Sequence, residues 1–137
     1  MSENLMPHIR LPKDLDVDCV LLPGDPARAD TVASHLEDAR LLASNREFRS
    51  WQGTYKGKKM MVTSTGIGAA SCAIAVEELI QCGVHNLIRI GSCGALQKEI
   101  RLGDLILVQG AVRDEGTSRT YIDSIYPAIP DFELMNA

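Results

Sequence analysis

Hydrophobic positions along this chain switch between short continuous runs and a helical period. Val17 to Leu22 is an apolar run closed by Pro23-Gly24, which predicts a buried strand and a turn. Asp25-Pro26 supplies a helix N-cap and a proline at the first helical position, and Arg28 to Leu36 is the predicted helix. Arg40 to Ala43 predicts a second strand. Trp51 to Tyr55 and Lys59 to Thr65 flank Lys56-Gly57-Lys58, a hairpin signal. Met60 to Thr65, the tight turn Gly66-Ile67-Gly68 and Ala69 to Cys82 then read as strand, turn and helix. Cys72, Ala75, Val76, Leu79 and Ile80 share one helical face, and Gly83 is the C-cap. Leu87 to Gly91 is the next strand. This β-α-β unit predicts parallel strands with a right-handed crossover. Leu105 to Val112, entered by Gly103-Asp104, predicts a further strand. Tyr121 to Pro130 is a loop, and Asp131 caps the first turns of a helix over 131–137. The class is α/β.

Composition narrows the function. The 137 residues are 45% hydrophobic, enough for one packed core, and the net charge of −4 argues against a general nucleic-acid binder. No apolar run approaches the roughly 18 residues of a membrane helix, and the N-terminus lacks the layout of a signal peptide. Cys19, Cys72, Cys82 and Cys93 form no C-x-x-C pair and have apolar neighbours. They read as buried free thiols of a reducing compartment, which points to the cytoplasm.

Arg89 stands in the apolar run Asn86 to Ile90, ahead of Gly91-Ser92-Cys93-Gly94. A guanidinium keeps its proton, so burial without a partner costs several kcal/mol, on the order of one ion's desolvation penalty. Two resolutions stand open: an anion at the strand's C-terminal end, where open α/β sheets bind ligands, or a distant structural carboxylate. Arg28 lies in the first turn of its helix and opposes the dipole by roughly 0.3–1 kcal/mol unless an anion sits there. Arg46 is a third cation, with a salt bridge to a neighbour as its alternative. Gly24, Gly66, Gly68, Gly91 and Gly94 mark turns at strand ends, which serve either as ordinary turns or as anion-facing backbone. None belongs to a dinucleotide or Walker motif. His35 and His85 read as solvated, and His8 has no partner visible in the sequence. Glu77-Glu78 is expected on the polar helix face, without a catalytic role.

Five segments occur in fixed order: Gly24-Asp25-Pro26-Ala27-Arg28, Ser44-Asn45-Arg46-Glu47-Phe48, Ser64-Thr65-Gly66-Ile67-Gly68, Ala75-Val76-Glu77-Glu78-Leu79 and Arg89-Ile90-Gly91-Ser92-Cys93-Gly94-Ala95. Together they resemble the purine/uridine nucleoside phosphorylase superfamily, above all its uridine-cleaving bacterial members, from about His8 to Phe132. The resemblance implies a three-layer α/β/α phosphorylase/hydrolase-like fold with a central mixed sheet, incomplete at the C-terminus. It implies a single domain, 1–137, forming the N-terminal part of the family's chain.

By the same resemblance, phosphate displaces the base from C1′ of a nucleoside, giving ribose 1-phosphate and free base. Phosphate falls to Gly24, Arg28, Arg46 from a neighbouring subunit, Arg89 and Ser92, with Arg28 and Arg89 as the catalytic cations. Their contribution is positioning and electrostatics: the oriented anion stabilises an oxocarbenium-like ribose and then bonds to C1′. His8 matches the histidine that reaches a partner's ribose 5′-hydroxyl, and Cys93 and Gly94 line the nucleoside pocket. No cofactor is implied beyond phosphate as co-substrate. A potassium ion at a dimer interface falls to Glu47, Ile67 and Ser71. Partners are nucleoside, phosphate and further copies of the chain, as a dimer or trimer of dimers, with neither nucleic acid nor membrane. Arg46-Glu47-Phe48 and Thr65 to Gly68 lean towards uridine; Gly53 to Gly57 and Gly91 to Ala95 resemble the purine enzymes. The family's base-reading and ribose-holding segments have no counterpart here. An inactive phosphate-binding or oligomerising remnant is therefore the other expectation, with little or no phosphorolysis by the 137 residues alone.

Overall fold

The computed structural model describes residues 5–137; the expected absence of a signal peptide rests in part on residues outside these. The chain divides into two compact units, Met1–Gly91 and Ser92–Ala137. Among the described residues, the first is built on a mixed five-stranded sheet ordered β2-β3-β4-β1-β5. Its elements are β1 Cys19–Leu22, α1 Pro26–Ala33, β2 Glu37–Asn45, β3 Phe48–Tyr55, β4 Lys58–Thr63, α2 Ala69–Gln81 and β5 Leu87–Arg89. β1 pairs parallel with both β4 and β5 and so lies between the two strands of the predicted β-α-β unit. β2, β3 and β4 form an antiparallel meander.

Alternation along the strands separates the two faces. Val20, Leu22, Met61 and Phe48 pack with Ala75 and Leu79 of α2. Val62 and Leu21 pack with Ala29 and Ala33 of α1. One helix therefore covers each face, giving three layers around the mixed sheet, in the α/β class that the sequence predicts.

Local signals explain most boundaries. Asp25 caps α1 by accepting from the Ala27 N–H at 2.9 Å, and Pro26 opens the helix two residues before the predicted Arg28. The β3–β4 hairpin turns on Lys56 (φ 49°) and Gly57 (φ 77°), the left-handed pair that suits a two-residue loop. α2 ends on Gly83 (φ 90°), with Gly83 N–H donating to Ile80 O and Val84 N–H to Leu79 O. The buried Val84 then packs with Leu79, completing a Schellman cap.

Four expectations fail. The buried face of α2 holds Ala75, Glu78 and Leu79, while Ile80 is 53% exposed. Glu78 is thus inside, because the N-terminal segment supplies hydrogen bonds to its carboxylate. β5 is the sheet's edge strand, so Arg89 is exposed and not a buried charge. Leu105 to Val112 forms no strand: one bridge, Ala111 to Ala128, is its pairing among the described residues, and Leu105 is 98% exposed. An apolar run becomes a strand only when a neighbour takes its backbone donors and acceptors. Finally, all four cysteines are free, but Cys93 is exposed and only Cys82 is fully buried.

The second unit is organised by Arg113. All five of its N–H donors are used, on Ser118 Oγ and on the carbonyls of Ser118, Ile122, Asp123 and Tyr126, at 2.6–3.1 Å. Asp131 caps the short α3, Phe132–Asn136, by accepting from Leu134 N–H at 2.8 Å.

Two outcomes follow from this packing. Phe48→Ala should cost about 3–5 kcal/mol in urea unfolding, since Phe48 is 1% exposed in the main core. Burial pushes the Cys82 thiol up to about 11, with Glu78 adding to the shift. At pH 8 a thiol reagent should therefore modify Cys93 quickly and Cys82 only on unfolding, as mass spectrometry of labelled peptides would show.

Candidate functional site

β2 runs antiparallel to β3, and β3 antiparallel to β4, so β2 points the same way as β4, β1 and β5. The C-terminal ends of four strands therefore lie at one end of the sheet. There the chain turns at Gly24, at Arg46-Glu47, at Gly66 and after Arg89. Open α/β sheets hold ligands at such a crevice.

Backbone hydrogen bonds carry the sheet past its strands. Thr65 N–H donates to Pro23 O and Gly66 N–H to Gly24 O, both at 2.9 Å, and Ile90 N–H to Leu22 O at 3.2 Å. A side chain on Gly24 would begin 3.3 Å from Gly66 O and 3.4 Å from Arg89 Nη2. Gly66 (φ 71°) has no room at all, because a Cβ there would stand 2.5 Å from Glu47 Cγ and 2.8 Å from Ser71 Oγ. Gly66 is required by close approach as well as by its turn conformation, and Gly24 sits where a side chain would be tight.

Arg89 therefore lies against the Gly24 turn. Its Nη1 donates to Leu22 O at 2.5 Å and Ile90 O at 3.1 Å. No carboxylate pairs with it among the described residues. Arg28 is half-buried at the third position of α1, whose first turn carries no acid beyond the capping Asp25. Arg46 (φ 53°) is exposed in the two-residue β2–β3 turn. Gly24, Arg28, Arg46 and Arg89 thus share one end of the sheet. Ser92, Cys93 and Gly94 open the second unit and are exposed.

Glu47 and Ser71 meet beside this end. Ser71 Oγ lies 2.8 Å from Glu47 Oε1 and 2.6 Å from Thr65 O. The Glu47 backbone N–H, then the Ser71 hydroxyl, hold the Glu47 carboxyl below its usual range, with the Arg46 guanidinium contributing less. Ile67, expected with them, turns its side chain to solvent at 99% exposure.

His8, without a visible partner in the sequence, has a close one in space. Its Nδ1 lies 2.5 Å from Glu78 Oε1, its N–H donates to the same carboxylate, and Asn45 Nδ2 donates to its carbonyl at 2.7 Å. Asn45 and Glu78 are the residues that sequence reasoning missed. Glu78 was findable: it stands three after Ala75 and four before Cys82, on the stripe those residues bury.

Residues 18–137 match the family model of the Phosphorylase superfamily. The chain is 51% identical over 115 residues to a uridine phosphorylase of Thermococcus kodakarensis, covering 84% of this chain and 42% of that protein. It is 41% identical over 129 residues to a guanosine phosphorylase of Halorubrum lacusprofundi, covering 94% of this chain and 54% of that protein. The crystal structure of uridine phosphorylase from Vibrio fischeri ES114 superposes with a TM-score of 0.92 at 46% identity, over 99% of this chain and 57% of that one. The chain thus spans about half the length of the curated relatives it matches. The ordered strand-end motifs, the mixed sheet and these likenesses agree: the chain belongs to the phosphorylase superfamily.

Proposed function

We propose that this chain supplies the phosphate-binding part of a nucleoside phosphorylase that cleaves uridine with inorganic phosphate, yielding ribose 1-phosphate and uracil. One observation carries the reading: Gly24, Arg28, Arg46 and Arg89 occupy one end of the sheet, and no carboxylate neutralises Arg89 there among the described residues. Guanidiniums suit an oxyanion because their forks match its oxygens. Phosphate accepts from Arg28, Arg89 and the Gly24 turn, with Arg46 serving a neighbouring copy; Ser92 is assigned to phosphate by the family resemblance alone. Held beneath C1′, the anion stabilises positive charge as the base departs and then forms the C1′–O bond.

Uridine is favoured by the relatives' names, among which uridine phosphorylase recurs. Guanosine, and with it the purine class, is a second reading on the strength of the Halorubrum relative. His8, Cys93 and Gly94 serve the nucleoside. Glu47, Ser71 and the Ile67 backbone offer hard oxygen donors that fit a potassium ion at a dimer interface, where it would offset the Glu47 charge. The setting is cytoplasmic nucleoside catabolism, in pyrimidine salvage, by a homo-oligomer of a single-domain phosphorylase, as a dimer or trimer of dimers.

Calorimetry with inorganic phosphate tests the site. Arg89→Ala should weaken binding at least about tenfold, the loss of hydrogen bonds to a charged group. Arg40→Ala, on the body of β2, where the guanidinium pairs with Gln52 of β3, should leave affinity unchanged. Equal affinity in wild type and Arg89→Ala would refute the assignment. Cleavage assays with uridine, guanosine and inosine, with and without phosphate, separate the base classes; turnover independent of phosphate would overturn the phosphorylase reading.

A further inference from the structure

Glu78 is an acid inside an apolar face. It is 6% exposed, packed on α2 between Ala75, Leu79 and Cys82, which are all buried. Burial alone raises its pKa, but the Ile9 N–H, the His8 ring and the His8 N–H together bring it below the usual range. It is therefore an ionised acceptor. Its Oε2 takes the Ile9 N–H at 2.9 Å and the His8 N–H at 3.1 Å, which already ties down the N-terminal segment. The ring contact is additional: Oε1 lies 2.5 Å from His8 Nδ1.

A carboxylate cannot donate, so the nitrogen facing it carries the proton. The His8 side chain is 40% exposed, and its Nε2 has no hydrogen bond among the described residues. Two acids face the ring, Glu78 from α2 and Glu47 from the β2–β3 turn, while Asn45 holds the His8 backbone from the end of β2.

We infer that Glu78 is a positioning residue: its buried carboxylate fixes the His8 ring with the proton on Nδ1 and presents Nε2 as an acceptor for a sugar hydroxyl. The inference rests on the nucleoside phosphorylase reading, in which His8 meets the ribose 5′-hydroxyl of a neighbouring copy. It adds a selection rule. A neutral Nε2 accepts from a hydroxyl but gives nothing to an ether, a thioether or a methyl group. The site therefore takes nucleosides with a free 5′-hydroxyl over 5′-deoxy and 5′-thioether analogues, and Glu78 sets that preference without touching substrate.

Nitrogen NMR of the full chain at pH 8 reads the tautomer directly, with the exposed His35 and His85 as internal references. Wild-type His8 should show a protonated Nδ1 and a bare Nε2. Glu78→Ala should return His8 to the mixture of the two references, and Glu78→Gln, whose amide oxygen can take the same place, should restore it in part. A wild-type His8 protonated on Nε2, or mixed like the references, overturns the inference without any variant. In turnover, the kcat/KM ratio of uridine to 5′-deoxyuridine should fall about tenfold in Glu78→Ala, the worth of one hydrogen bond. It should fall no further when His8→Ala is added. A purely structural Glu78 would lower both substrates alike, and an unchanged ratio refutes the proposal. If the 137 residues cleave neither nucleoside, as expected of a chain that spans about half the length of its relatives, phosphate calorimetry judges the functional reading and the spectrum alone judges the pairing of Glu78 with His8.

Discussion

The site depends on two glycine turns locked together by backbone hydrogen bonds. Thr65 and Gly66 donate to Pro23 and Gly24, continuing the β1–β4 ladder beyond the strands. This contact sets how closely the ends of β1 and β4 approach, while Glu47 and Ser71 leave no space for a side chain at Gly66. Arg89 is fixed against the same pair of turns, because its strand is registered on β1 through Leu22. A shift of one residue in either ladder would turn each side chain of the shifted strand to the opposite face. It would break both cores, Val20 and Leu22 on one face and Leu21 on the other. Core packing therefore enforces the geometry of the crevice.

The electrostatics follow from how the nearby acids are used. Asp25 caps α1, and Glu47 accepts from Ser71 and from its own backbone N–H. Each carboxylate is engaged by a local donor, and the Glu47 carboxyl is held below its usual range by its own backbone N–H and the Ser71 hydroxyl. Asp30 of α1 is bound by Arg49 and by the Trp51 indole, whose combined donors hold its carboxyl below the usual range. The acids of this region thus serve the scaffold, and none of them pairs with Arg89 among the described residues.

Arg113 and Arg89 differ in how far the surrounding backbone uses their donors. Arg113 spends every N–H on oxygens of its own loop. The hydrogen bonds of Arg89 come from Nη1, while Nη2 faces the Gly24 turn. Both are arginines near glycine-containing turns, and composition alone cannot distinguish them. What differs is whether the surrounding backbone saturates the fork.

Local chemistry made much of this protein legible from its residues. Asp25-Pro26 opens α1, Gly83 closes α2, and Lys56-Gly57 turns the β3–β4 hairpin, because caps and turns depend on residues a few positions apart. The five ordered motifs likewise indicated the family before any coordinates. The tertiary structure decided what depends on distant neighbours. It put β1 between β4 and β5, made β5 an edge with Arg89 exposed, and left Leu105 to Val112 unpaired, since strand order and burial are properties of the assembled sheet. It also joined Glu78 to His8 across 70 positions of chain, a contact that no local period encodes. The physical reason is range: a cap or a turn is settled within one helical turn of chain, whereas a strand's neighbours and a buried charge's partner exist only once the layers have packed.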